Sequence, residues 1–314
     1  VTTGLEENQI ARAVLAYLAV HLPTHVEQLH ELAVSLGPVE ALGTLLSPAT
    51  SADVREHYLG VMPVERLRVH AGAVLDAAED AGTRVLVPED KDWPARLDDL
   101  SRIEWAAAPS SAWCLWVRGV PAPIPARTVA IHGSRAATPY GNTVATELGH
   151  DLAKAGWTVA VTSNFGINAA ALRGALAADG RVVAVLPGGI DRPYPAGHRA
   201  LLGQAAKNGQ VISAYPPGTP PDAKRAAAAD RLLAGLTSGA VLVEAPPDTT
   251  VVAVIEETIR RGRRAMVVPG PVTSVLSGGP HQALRDHRQA RLVRDAADVL
   301  TELKHTPAGR PAAH

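Results

Sequence analysis

The stretch VAIHGSRAATPYG, residues 129–141, decides how the rest of the chain is read. Small apolar and β-branched residues run up to His132 and stop at Gly133-Ser134-Arg135, and Pro139 stands where the first turn of a helix would begin. A strand, a glycine corner and a helix in succession form the repeating element of an α/β sheet. The corner joins a residue able to take unusual backbone angles, a hydroxyl and a permanently charged planar donor, a set that suits a phosphate. Local sequence supports equally a plainer role for Arg135, a salt bridge to an acidic neighbour on the rim.

Outward from this stretch the same alternation recurs. Apolar runs appear at RVLVP (84–88), CLWVRG (114–119), TVAIHG (128–133), WTVAVTS (157–163), RVVAVLPGG (181–189), QVISAYPPG (210–218), AVLVEAPP (240–247) and RAMVVPG (264–270). Alanine-rich helical stretches separate them, and their continuous apolarity predicts a mostly parallel sheet with helices on both faces. Ligands of such sheets bind beyond the carboxyl ends of the strands. Residues 8 to about 80 differ: Ile10, Val14, Leu15 and Leu18, then Val26, Leu29, Leu32 and Ala33, then Val64, Leu67, Val74 and Leu75 fall at helical spacing. A small all-helical domain is expected over 1–80, with Ser51 or Asp53 as a helix cap, an α/β domain over 81–305, and a disordered tail over 306–314.

Composition narrows the functional classes. The 314 residues are 46% hydrophobic and 19% charged with a net charge of −1, a soluble globular balance that singles out no partner. Aromatics are 4% with one Phe, so nucleic-acid binding would work mostly through phosphates and not through many stacked bases. The single cysteine, Cys114, excludes an intrachain disulfide and a multi-cysteine zinc site, and its setting in AWCLWVRG predicts a buried strand residue. Glu6 and Glu7 precede AVLAYLAV, which is read as part of a first helix and not as a leader, and no run approaches the ~18 apolar residues of a membrane span. A cytoplasmic protein without a membrane partner is expected.

The remaining turns carry weaker signals. Gly188-Gly189 in VLPGGIDRPYP would let a ligand approach the backbone closely, although a double glycine after a strand is common. A LOG-type ribohydrolase would continue with Gly-Thr and a catalytic Glu, whereas Ile190 and Asp191 follow here, so the general acid/base is missing. No G-x-G-x-x-G follows a strand and no G-x-x-x-x-G-K-[ST] occurs, which removes dehydrogenase and P-loop readings. There is no H-E-x-x-H, and His281, His287 and His305 lack carboxylates at ligand spacing, so no catalytic residue, metal or cofactor is expected. Asp248-Thr249-Thr250 is read as a helix cap, and i,i+4 pairs Glu256–Arg260 and Glu257–Arg261 account in part for the basic RRGRR segment.

Taken in order, HGSRAATPYG, LRGALAADGRVVAVLPGGIDRPYP, ISAYPPGTPP, DRLLAGLTSGAVLVEAPP and VVPGPVTSVLSGG resemble the DprA/Smf family of DNA-processing proteins. The resemblance covers roughly residues 83–304, and the helical region resembles that family's sterile-alpha-motif-like extension. It implies an extended Rossmann-like domain that binds single-stranded DNA without catalysis, forms a homodimer and helps to load the RecA recombinase during natural transformation. In the family the arginine of the Gly-Ser-Arg turn contacts DNA phosphates, and that position is Arg135.

Other positions depart from the pattern. Phe165 stands where the family has a basic residue, and Asn168 stands for an Asp. Ala226 to Ala229 occupy the place of an aromatic and several arginines, with Arg231 retained; Thr249-Thr250 replaces a Ser-Gly turn, and Val254 a Thr. The chain is read as a diverged member without the C-terminal winged-helix module. The expected phosphate site is Gly133, Ser134 and Arg135 with the amides of Gly188 and Gly189, and Arg173, Arg192, Lys224, Arg225 and Arg231 as further cations. The alternative is a diverged paralogue whose pocket binds a nucleotide or another small phosphate ligand as a sensor domain.

Overall fold

The computed structural model describes residues 6–60, 62–100 and 113–304, so the tail expected at 306–314 lies outside the described residues. The chain divides into two compact units, one of Val1–Arg118, Leu186–Pro193 and Ile212–Ala228, the other of Gly119–Val185, Tyr194–Val211 and Ala229–His314.

The first unit opens with five helices: α1 (Glu7–His21), α2 (Val26–Leu36), α3 (Pro38–Leu46), α4 (Ala52–Leu59) and α5 (Val64–Asp80). Helical apolar spacing produces them, and Val14, Leu15, Leu18, Leu29, Leu32, Leu67, Val74 and Leu75 are all buried. Glu6 and Gln9 close a capping box at the start of α1, while Ser51 caps α4 by accepting from the Val54 amide at 3.4 Å. Two strands follow, β1 (Thr83–Leu86) and β2 (Leu115–Gly119), paired antiparallel from Thr83↔Arg118 to Leu86↔Leu115. Cys114 is fully buried one residue before β2, and burial pushes its thiol well above the usual range.

The second unit carries β3 (Thr128–His132), β4 (Thr158–Thr162), β5 (Val182–Leu186), the start of β6 (Gln210–Ser213), β7 (Gly239–Leu242), β8 (Arg264–Val267) and β9 (Arg291–Leu292). From β5 the strand order is β5-β4-β3-β7-β8-β9, with every neighbour parallel. Every residue of β3 and β4 is buried, which explains why these runs lack polar alternation. The connections are helices: α6 (Pro139–Lys154), α7 (Ile167–Ala177), α8 (Arg199–Asn208), α9 (Ala223–Leu236), α10 (Ala253–Arg260), α11 (Gly278–Asp286) and α12 (Ala296–Lys304). The α/β class and the mostly parallel sheet expected from sequence are borne out. No helix among the described residues is long and apolar enough to cross a membrane.

Two glycines set how α6 and α7 meet. A Cβ at Gly149 would lie 2.2 Å from the Ala171 carbonyl oxygen, and one at Gly174 would lie 2.0 Å from that of Thr146. The two backbones therefore approach as closely as only glycine permits. This crossing fixes the start of α7 beside the end of β3.

Three local expectations are corrected or extended. β9 has only two residues, too short for an apolar run to announce it. Asp248-Thr249-Thr250 does not cap α10: the N-cap is Val252 without a side-chain bond, while Asp248 takes φ 55° and its backbone N–H donates to Gln282 at 3.1 Å. In α10 the buried Glu257 pairs with Arg261 at i,i+4, as expected, and also receives Arg260 at i,i+3, at 2.6 Å.

Candidate nucleic-acid interface

The strand order of the second unit reverses between β3 and β7. From β3 the chain steps by α6 to β4 and β5; from β7 it steps the other way, to β8 and β9. The carboxyl ends of β3 and β7 thus flank a switch point, where helix N-termini point outward and a crevice opens. Gly133-Ser134-Arg135 leaves β3 there.

The turn is held from two sides. On the β7 side, the Ser134 amide donates to the Glu244 carbonyl at 2.6 Å, and the Glu244 carboxylate accepts from the Thr138 amide at 2.9 Å and hydroxyl at 2.6 Å. Thr138 in turn caps α6 by accepting from the Gly141 amide at 3.0 Å. Glu244 therefore fastens residues 134 and 138 and leaves Arg135 at the crest between them. On the α7 side, the Ile167 amide donates to the Ser134 carbonyl at 3.1 Å. Gly166 makes that approach feasible: its φ is +67°, and a Cβ there would meet the Ser134 oxygen at 2.2 Å.

Beneath the turn lies a buried polar cluster. Asn168, wholly buried, accepts from the Gly133 amide at 3.2 Å and shares its two amide hydrogens among the Thr162 carbonyl at 3.2 Å, the Thr162 hydroxyl at 2.7 Å and His132 Nδ1 at 3.1 Å. An amide N–H on one side and a carbonyl on the other fix which end of the Asn amide points where. His132 Nδ1 must then accept, so its proton sits on Nε2, 3.7 Å from Asp230 Oδ1. Burial pushes the His132 imidazole below its ordinary value, with the Asp230 charge acting the other way; burial likewise raises the Asp230 carboxyl. The Asn that stands for the family's Asp thus ties the ends of β3 and β4 to the start of α7.

Arg135 is exposed, and its guanidinium donates to the Tyr194 hydroxyl at 3.5 Å. No carboxylate lies within ion-pair distance of it among the described residues, so the rim salt bridge does not form. Phe165, in the turn after β4, is 44% exposed and sets its ring at 68° to that of His198, with centroids 4.5 Å apart. His198 is buried, donates from Nδ1 to the Ser163 carbonyl at 3.0 Å, and is pushed down chiefly by burial, with the nearby Arg173 charge adding to that shift. Arg173 itself is exposed on α7. The unit thereby gathers Arg135, Arg173, Phe165 and Tyr194 at one edge. Arg231, half-buried, acts by its charge on Asp230.

The remaining candidates belong to the first unit. The Gly188-Gly189 turn is engaged by the fold: the Gly189 amide donates to the Thr219 carbonyl at 2.9 Å, and the Ser213 hydroxyl donates to the Gly188 carbonyl at 2.6 Å. Both glycines are buried. Arg192 lies 3.7 Å from Asp191, whose carboxylate accepts from the Gly218 amide at 2.8 Å. Arg225 is bound to Asp222 at 2.6 Å and to the Pro220 carbonyl at 2.9 Å, and it stands 5.6 Å over the Tyr215 ring. Lys224 is exposed. Of the alanine run, Ala228 and Ala229 are buried, so their small size suits packing and not a lost surface contact.

Sequence reasoning missed Glu244, His132 and Asp230. VEAP was noted only as a strand end, and a buried carboxylate that clamps a turn over a hundred residues away has no local pattern. Among the described residues no group of three or more His, Cys, Asp or Glu side chains could hold a metal ion.

Residues 84–304 match the family model of DNA recombination-mediator protein A. The chain belongs to that family. Its similarity extends across most of its length to a DNA processing protein DprA relative from Mycobacterium tuberculosis, at 36% identity over 296 residues, 92% of this chain and 74% of the relative. The solved DprA of Streptococcus pneumoniae superposes with a TM-score of 0.70 at 22% identity, covering 95% of this chain and 98% of that one. DprA of Helicobacter pylori, solved for its single-stranded DNA binding mode, gives a TM-score of 0.60 at 20% identity over 71% and 95% of the two chains. At such identities the two structures establish the DprA fold. The family match and the 36% identical relative make this chain a DprA-type DNA processing protein.

Proposed function

We propose that this DprA-type chain binds single-stranded DNA through its phosphate backbone, without sequence preference and without catalysis, in the cytoplasm. In the same reading it forms a homodimer, protects incoming strands and helps to load the RecA recombinase in natural transformation. The observation that carries the reading is Arg135: an exposed guanidinium with no acidic partner among the described residues, held at the crest of a clamped turn at the switch point of a parallel sheet. A planar, permanently charged donor in that position suits a phosphate oxygen better than water alone. Family membership and the strand binding named for the Helicobacter pylori DprA support the choice of ligand.

The test is fluorescence anisotropy with a labelled oligodeoxythymidylate over a series of salt concentrations. Arg135→Ala is expected to weaken binding and to reduce the slope of log K against log salt by about 0.7, the value for one phosphate contact on a single strand. Absence of binding at low salt, together with thermal stabilisation by a mononucleotide, refutes the reading in favour of a sensor for a small phosphate ligand. Cosedimentation with RecA on the strand and sedimentation velocity of the free protein test the partner and the dimer.

A further inference from the structure

Phe165 is the only phenylalanine in the chain, and a DNA grip made of phosphates alone has no use for it on the surface. Its ring is 44% exposed, and its inner side rests against the buried His198 ring. His198 is fixed in turn by the Ser163 carbonyl, so the phenyl has a firm support and is not free to fold down. The next residue, Gly166, presses on the backbone of Arg135: a Cβ there would lie 2.6 Å from the Arg135 carbonyl oxygen. Ring and guanidinium therefore rise from adjoining points of one edge, and Arg173 reaches the same neighbourhood from α7.

An apolar, planar, exposed face beside two cations matches a ligand with a flat π-surface next to an anion. Within a single strand each nucleotide has that composition, since every base has a π-face whatever its identity. We propose that Phe165 is a stacking platform for one base of the strand whose phosphate Arg135 holds, an inference that rests on the DNA-binding reading above. The substitution of an aromatic for the family's basic residue then exchanges one kind of contact for another: stacking carries no net charge, so it contributes affinity that salt does not remove.

The test compares oligodeoxythymidylate with an oligomer of equal length made of abasic residues, each measured by anisotropy across the salt series. Wild-type protein is expected to prefer the thymidylate by about tenfold, the equivalent of ~1.4 kcal/mol and within the range for one stacked base. Phe165→Ala should bring the two affinities close together without altering the salt slope, and Phe165→Leu, which keeps apolar bulk but no π-face, should do nearly the same. Phe165→Lys should also abolish the preference while steepening the slope by about 0.7. Arg135→Ala should weaken both oligomers and leave their ratio near the wild-type value. These variants give up the contact of the phenyl with the His198 ring, so a small fall in melting temperature is expected, and circular dichroism checks that the fold is kept. A thymidylate-to-abasic ratio that survives in Phe165→Ala overturns the platform while leaving phosphate binding intact. Failure of the wild-type protein to bind either oligomer overturns the DNA reading itself and the platform with it.

Discussion

Replacing Asn168 by Ala should cost the sheet-bearing unit about 3 kcal/mol, although the residue is small and does not reach the surface. The structure shows why. Asn168 accepts from the Gly133 amide and donates to the Thr162 carbonyl, and both groups lie where water does not reach. Truncation orphans one donor, the Gly133 amide, and two acceptors, the Thr162 carbonyl and the buried His132 Nδ1, each at the lower end of roughly 1–3 kcal/mol, while the Thr162 hydroxyl can turn to the neighbouring Asp230 carboxyl and so loses less. For a unit of about 150–250 residues this corresponds to a fall in Tm of about 6–12 °C. Differential scanning calorimetry reads that directly. Thr162→Val supplies the comparison: it removes the hydroxyl but keeps the backbone carbonyl paired, and should cost only about 1 kcal/mol. An Asn168→Ala protein melting within ~3 °C of wild type, or a Thr162→Val protein equally damaged, would show that the clamp under Gly133 does not rest on this amide.

Other outcomes follow from the same geometry. Gly174→Ala should destabilise by about 2 kcal/mol, because its new Cβ would meet the Thr146 carbonyl oxygen at 2.0 Å, whereas Gly203→Ala in α8, with nothing within 4 Å, should stabilise by up to ~1 kcal/mol; urea denaturation distinguishes them. Glu244→Gln should weaken DNA binding and lower stability by about 1–2 kcal/mol, since an amide can accept only one of the two Thr138 bonds and presents N–H to the other donor; the paired measurements are anisotropy and calorimetry. His132, held below its ordinary value by burial, favours the fold in its neutral form, so its contribution is complete above about pH 6.5 and is lost as pH falls from there toward its folded value. The stability gap between wild type and His132→Leu should therefore shrink from pH 8 to 5.5 in urea titrations, and a gap that stays constant would contradict the buried neutral imidazole.

The division between what could be read and what could not follows the range of the interactions. Eight of the strands stand out in sequence because a strand buried on both faces must be continuously apolar, and β9 does not because two residues at an exposed edge carry no such requirement. Ser51 as a cap is local and legible; Asp248-Thr249-Thr250 has the same composition, yet Asp248 is taken by Gln282, more than thirty residues away. The Gly188-Gly189 turn resembles an anion cradle by its residues, but Thr219 and Ser213 already engage it.

By itself, the sequence determined the α/β class, the helical region before it, the family and the position of Arg135, since each rests on a run, a period or an ordered set of motifs that neighbours in the chain supply. Tertiary structure alone decided what Arg135 is worth. Whether a guanidinium faces an acid or open solvent depends on which distant segments fold beside it, and here those segments bring Glu244 to the shoulders of the turn, Asn168 beneath it and an exposed phenyl ring alongside. Departures from the family pattern that looked in sequence like losses, Phe165 and Asn168, prove to be a supported surface ring and a saturated buried amide, because burial and hydrogen-bond partners are properties of the packed chain and not of the residue type.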